Sequence, residues 1–86
     1  MKVLLPTVLA HYTRGVREVD AHGATLSELF AELDRRFPGL RFRVIDEQGA
    51  VRPHIKVFLN RVQERSLATA LAPDDEVLVV AALSGG

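Results

Sequence analysis

The feature that most constrains the fold of this chain is a single well-marked amphipathic helix between residues 25 and 37. Its apolar side chains recur at helical spacing, at Leu26, Leu29, Phe30, Leu33 and Phe37. Thr25 and Glu28 have the spacing of a capping box at its start, and Pro38-Gly39 ends it. In a chain of 86 residues, one such helix predicts a single domain whose helix covers one face of a sheet.

Short β-strands are predicted on both sides of this helix. Residues 2–10 are rich in Val and Leu, and Pro6 within them predicts a bulge or an edge position. Residues 16–20 alternate apolar and polar side chains, which favours a hairpin with the first strand. Residues 55–59 and 76–82 are the other strong strand candidates.

The remaining connections are short. Residues 61–65 have room for an edge strand, and residues 40–46 and 66–71 each favour a helical turn. The order predicts an α+β fold of the β-grasp type, with a mixed sheet of four or five strands, the last strand in the middle and the helix on one face. The domain is predicted to span residues 1–82, followed by a flexible tail, 83–86.

Composition argues against several kinds of partner. Lysine plus arginine and aspartate plus glutamate both number 11, so the chain lacks the basic excess typical of nucleic-acid binders. No apolar run approaches the ~20 residues that span a bilayer, so we expect no membrane association and a cytoplasmic location.

Candidate catalytic groups are sparse. Cysteine is absent, and His11, His22 and His54 fall in separate predicted loops. The acidic clusters at 46–47 and 74–76 lie where turns need polar side chains, and Ser66, Thr69 and Ser84 have no nearby histidine. The sequence therefore predicts no bound metal, no bound cofactor and no catalytic residue of its own.

Two predicted strands carry apolar residues on both faces. If Val57 and Val79 face the helix, strand alternation turns Phe58, Leu78 and Val80 outward. Clustered exposed apolar side chains indicate a surface for docking a partner. A dimer interface, or strands that are simply rich in β-formers, are the alternatives.

The chain ends in Gly85-Gly86 directly after a strong strand. Without Cβ atoms these residues fit narrow channels, and a fully extended 83–86 segment spans about 13–14 Å. Leu83, Ser84 and Gly85 are therefore predicted to thread into a partner's active site. A carboxylate needs a leaving group, so a partner that uses ATP would form an acyl-adenylate on Gly86, and sulfide or a persulfide would convert it to a thiocarboxylate.

Residues 53–60, the turn at 71–77 and the terminal Gly85-Gly86, in this strand order, resemble the ThiS/MoaD family of ubiquitin-like sulfur carriers. The resemblance implies activation at Gly86 by an E1-like adenylyltransferase, a sulfur donor, and transfer to an acceptor synthase. Residues 5–9 and 52–60 look closer to carriers for cysteine or thiocarboxylate-siderophore synthesis than to the small subunit of molybdopterin synthase. The Phe58, Leu78 and Val80 surface would be the docking face of the family.

Two positions depart from the family pattern. Asp75 stands where the turn usually has glycine, and because aspartate tolerates the left-handed conformation we expect the turn to form. Ala81 stands where many relatives have proline. Besides a sulfur carrier, the sequence leaves open the molybdopterin synthase subunit, a modifier joined to lysines, and a non-covalent β-grasp binding module.

Overall fold

The computed structural model describes residues 1–82, which form a five-stranded mixed sheet with a helix across one face. The strands are β1 (Lys2–Leu4), β2 (Glu18–Asp20), β3 (Ile55–Leu59), β4 (Val62–Gln63) and β5 (Glu76–Ala81). Their order across the sheet is β2-β1-β5-β3-β4, with β1 and β5 parallel and the other pairs antiparallel. The predicted β-grasp fold, with the last strand in the middle, is confirmed.

The main helix, α1 (Leu26–Arg36), begins as its sequence predicts. The Thr25 hydroxyl accepts a hydrogen bond from the Glu28 N–H at 3.2 Å, and the Glu28 carboxylate accepts one from the Ala24 N–H at 3.3 Å. These bonds satisfy amides that have no partner within the helix. Gly39 then takes a φ of 96° and leads into a short second helix, α2 (Leu40–Val44).

The core lies between α1 and the inner face of the sheet. The helix contributes a fully buried stripe of Leu26, Leu29, Phe30 and Leu33. The sheet contributes alternate residues from four strands: Val3, Val19, Ile55, Val57, Val77 and Val79. Burial of this apolar area is the main stabilising contribution to the fold, and it positions β5 in the centre of the sheet.

The first strand is shorter than predicted. Residues 5–10 are not part of β1, and β1 is an interior strand rather than an edge. Leu5 donates the last ladder bond to the Arg17 carbonyl at 2.8 Å, and Pro6 then has no N–H to donate. The chain turns instead into a 3₁₀ helix at Thr7–Leu9, which buries Leu9.

Residues 66–71 form no helix but contain a single turn, in which the Thr69 N–H donates to the Ser66 carbonyl at 3.3 Å. The carbonyls of Leu67 and Thr69 accept hydrogen bonds from Ser27 and Leu26, at 2.9 and 3.2 Å. These donors belong to the first turn of α1, where helical amides lack internal partners. The segment does not continue as a helix, because its carbonyls cap the start of α1.

The other short elements follow the sequence. The helical turn predicted at 40–46 appears as α2, the edge strand predicted at 61–65 as β4, and the hairpin partner predicted at 16–20 as β2. None of the helices in the part of the chain that the structure describes is long and apolar enough to cross a membrane.

Candidate functional site

Phe58, Leu78 and Val80 lie on the sheet face opposite α1, and we call these three residues the sheet-face patch. Phe58 and Leu78 are directly paired across β3 and β5. All three are partly exposed, whereas their strand neighbours Val57 and Val79 are each only 1% exposed. The predicted inward and outward alternation of these strands is confirmed.

The sheet-face patch continues onto residues that sequence reasoning missed. Parallel pairing of β1 with β5 places Leu4 beside Leu78, and Pro6 and Val8 form a wall above them. Together they line an open groove of about 640 Å³ next to Val80. Treating residues 2–10 as one strand hid this wall. The available signal was the predicted return of the last strand to the middle of the sheet, because pairing it with the first strand places Leu4 beside Leu78.

A charged row borders the apolar surface at the start of β5. The Lys2 ammonium lies 3.5 Å from the Glu76 carboxylate, and Asp20 is paired with Lys2 on the other side. The Met1 ammonium donates to the Asp20 carboxylate at 3.0 Å, and this contact lowers the pKa of Asp20. The sheet-face patch therefore ends in charged groups on the side from which β5 begins.

The turn before β5 is held by a side chain. The Asp75 carboxylate accepts hydrogen bonds from the Ala72 N–H at 2.7 Å and the Asn60 side-chain amide at 2.9 Å, and both lower its pKa. The turn forms as predicted, and it does so without a positive φ at Asp75. The Asp75 carboxylate stabilises the turn because it is bonded both to the residue that precedes the turn and to Asn60 after β3.

The end of β5 is anchored to the start of β3. Ala81 pairs with Ile55, and the Ala82 N–H donates to the His54 carbonyl at 2.7 Å. We call His54, Ala81 and Ala82 the tail root, since the predicted tail begins at the next residue. The tail positions singled out from the sequence, Leu83, Ser84, Gly85 and Gly86, lie outside the described residues.

The histidines and acidic groups do not form a cluster. Among residues 1–82, no three histidine, aspartate or glutamate side chains lie close enough to hold a metal ion together. Asp46, in one of the two acidic segments, accepts hydrogen bonds from the Gln48 and Ala50 N–H groups, which lower its pKa. Asp46 therefore stabilises the loop in which it lies, as predicted for an acidic group in a turn.

Comparison with known proteins gives a consistent result. The model of the ThiS family matches residues 3–86. The sulfur carrier protein CysO of Mycobacterium tuberculosis is 32% identical over 89 residues, covering 98% of this chain and 96% of that protein.

Solved structures show the same fold. CysO in the BexX/CysO complex of Amycolatopsis orientalis aligns with a TM-score of 0.89 at 27% identity, covering 99% of this chain and 98% of that one. SAMP1, a small archaeal modifier protein of Haloferax volcanii, aligns with a TM-score of 0.79 at 32% identity, covering 100% of this chain and 98% of that one.

Proposed function

Because this chain belongs to the ThiS family, we propose that it carries sulfur as a thiocarboxylate on the terminal carboxyl group of Gly86. The sulfur carrier function predicted from the sequence is confirmed by homology to a protein that is itself a sulfur carrier. The family match extends to residue 86 and so includes both terminal glycines. We propose in addition that the sulfur is attached at the carboxyl group of Gly86.

The chemistry requires two steps on a partner enzyme. The Gly86 carboxylate attacks the α-phosphate of ATP, which forms an acyl-adenylate and releases pyrophosphate. Hydrosulfide then attacks the acyl carbon, AMP leaves, and the thiocarboxylate forms with loss of a proton. The chain is the substrate of an E1-like adenylyltransferase, which uses the ATP, and an acceptor synthase later takes the sulfur.

The observation that carries the proposal is the anchored tail root. The Ala82 N–H is bonded to the His54 carbonyl, so the last described residue is held against a strand of the sheet. Four residues can span at most about 13–14 Å when fully extended, enough to bring a carboxyl group into a neighbouring active site. A stable domain with a short C-terminal segment can present its terminal carboxyl group to several partners in turn.

The sheet-face patch supplies the surface on which those partners dock. Its three apolar side chains are partly exposed on the central strands, and apolar patches of this kind mark interaction sites. Leu4 and Val8 extend the patch toward the end of β5. A partner that covers it is therefore placed beside the start of the tail. The complex that CysO of Amycolatopsis orientalis forms with BexX supports a stable docking partner for such a carrier.

A modifier function is the second candidate. The likeness to SAMP1, at 32% identity over the whole chain, favours it, because a protein modifier would use the same acyl-adenylate. The two functions differ in the nucleophile, which is hydrosulfide in one and a lysine amine in the other. Conjugates that persist under reducing denaturation would favour the modifier.

Adenylation tests the proposed site. Wild-type protein incubated with its E1-like adenylyltransferase should support exchange of pyrophosphate into ATP, and removal of Gly86 should abolish it. Ser84→Ala is the matched control, since it alters the tail but keeps both glycines, and it should retain exchange. Because a free terminus makes few contacts, all three proteins should melt at nearly the same temperature. Exchange that survives loss of Gly86 would overturn the assignment.

A further inference from the structure

A second surface adjoins the tail root and lies next to the groove of the sheet-face patch, since Val8 lines both. It is a cavity of about 310 Å³ whose walls include Val8, Phe42, Arg43, Arg52 and His54. We call it the tail-root pocket. His54 connects it to the tail, because its carbonyl accepts the hydrogen bond of Ala82.

The tail-root pocket combines apolar and cationic groups in a defined arrangement. Phe42 is 53% exposed and Val8 is 61% exposed, which is unusual for large apolar side chains. The Arg52 guanidinium carbon lies 4.5 Å from the centre of the Phe42 ring, and its Nε donates to the Phe42 carbonyl at 2.7 Å. Stacking and the hydrogen bond hold this guanidinium in place, so little side-chain entropy is lost when it meets a ligand.

The charged side chains that line the tail-root pocket are all basic. None of its lining residues is acidic, and the ion pairs within residues 1–82 involve neither Arg43 nor Arg52. The Asp46 carboxylate lies outside the lining; it is bonded to the amides of its own loop, and the charge of Arg52 also lowers its pKa. The acidic residues 74–76 lie at the other end of β5. A chain with zero net charge is therefore basic where the tail begins.

We propose that the tail-root pocket is a second docking surface, and that it binds an acidic surface of the partner enzyme that receives the tail. The proposal rests on the sulfur carrier function proposed above. Carboxylates accept paired hydrogen bonds from the N–H edge of guanidinium groups, and an apolar partner side chain would cover Phe42. Val8 lines both this pocket and the groove of the sheet-face patch, so one partner surface can cover both.

Charge reversal tests this proposal on the full chain. The double variant Arg43→Glu/Arg52→Glu should lower kcat/KM for adenylation by the E1-like enzyme roughly tenfold at low salt, with kcat unchanged. Arg61→Glu is the matched control, because this exposed arginine lies in the turn after β3, away from the tail, and it should change kcat/KM less than about twofold. The difference should shrink in ~0.5 M NaCl, where charges are screened over a few ångströms.

Folding of each variant is checked by circular dichroism. If the double variant unfolds, Arg43→Glu alone provides the test, since its side chain is exposed, and it should lower kcat/KM about threefold. An unchanged kcat/KM, or an equal loss in Arg61→Glu, would overturn the second docking surface.

Other occupants of the tail-root pocket predict different results. If the carboxylate of Gly86 itself bound there, the double variant would be adenylated faster than wild type. If a second copy bound there, sedimentation would show a salt-sensitive wild-type dimer that the double variant loses. Either result overturns the proposal. Failure of wild-type protein to be adenylated at all removes the proposed function as well, whereas equal adenylation of wild type and double variant removes only this inference.

Discussion

The two faces of the sheet differ in what covers them. On the inner face Val57, Val77 and Val79 are at most 1% exposed beneath α1. On the outer face Phe58, Leu78 and their neighbour Val80 are partly exposed, although they alternate with the inner residues along the same strands. One helix covers one face, so the alternation of side chains that builds the core also exposes the proposed docking surface.

This contrast separates the energetics of folding from those of recognition. The inner side chains are transferred from water into the core on folding, and each buried methylene group stabilises the fold by about 0.8 kcal/mol. The outer side chains are only partly buried on folding. A partner that covers them would bury the apolar area that is still exposed, and this burial would favour binding. Substitutions on adjacent positions of one strand should therefore have opposite consequences.

The largest expected effect is on the inner face. Val79→Asp would place an unpaired carboxylate in the core, at a cost of several kcal/mol against a total stability of about 5–15 kcal/mol. We expect it to unfold the domain, as seen by far-ultraviolet circular dichroism. Its matched control, Val80→Asp, should remain folded. Unfolding by Val80→Asp with a folded Val79→Asp would mean that the two faces are assigned the wrong way round.

The next effect is on recognition. Phe58→Asp should stay folded but raise the KM for adenylation roughly tenfold, because a charge replaces an apolar anchor at the centre of the interface. Val62→Asp is the control, since Val62 is 69% exposed on the edge strand β4 and outside the sheet-face patch. Steady-state kinetics with the E1-like enzyme give both values. Equal KM changes in the two variants would remove the sheet-face patch as the docking site.

A smaller effect is expected at the helix that covers the inner face. Thr25→Ala removes the side-chain acceptor of the Glu28 N–H and should lower the free energy of unfolding by about 1 kcal/mol. The corresponding fall in Tm is about 4–8 °C for a domain of this size. Adenylation kinetics at a temperature well below the transition should not change. A change in KM would show that α1 takes part in docking.

The smallest effect is the response of the turn to acid. The pKa of Asp75 is lowered in the folded protein, so its contribution to stability is present above the unfolded value of about 3.8 and is lost as pH falls through the folded value. Wild type should therefore lose stability below about pH 4 more steeply than Asp75→Asn. Urea denaturation at a series of pH values measures both slopes. Parallel slopes would contradict a stabilising ionised Asp75.

Much of the fold was predictable because its signals are local. Thr25, Glu28 and the apolar stripe mark α1 without reference to the rest of the chain. The alternation of β5 likewise predicted which residues face outward, including Phe58 on the neighbouring strand. These signals belong to single elements, and the sheet order followed from their sequence along the chain.

The parts that were not predicted depend on distant partners. Residues 66–71 form only a single turn, because the carbonyls of this segment bind the first turn of α1, which no local pattern records. Val8 belongs to both candidate surfaces because the chain turns after Pro6, and Asp75 bonds to Asn60 across 15 positions. Phe42 and Arg52 meet only after folding, so the tail-root pocket had no sequence signal.

The most direct test of the carrier is intact mass spectrometry of the wild-type chain after incubation with its adenylyltransferase, ATP and sulfide. We predict a species in which one oxygen has been replaced by sulfur, with the change located on Gly86 by fragmentation. Val80→Asp, although folded, should form less of this species in the same time. A chain whose mass is unchanged, while its acyl-adenylate forms and hydrolyses, would contradict the sulfur carrier assignment.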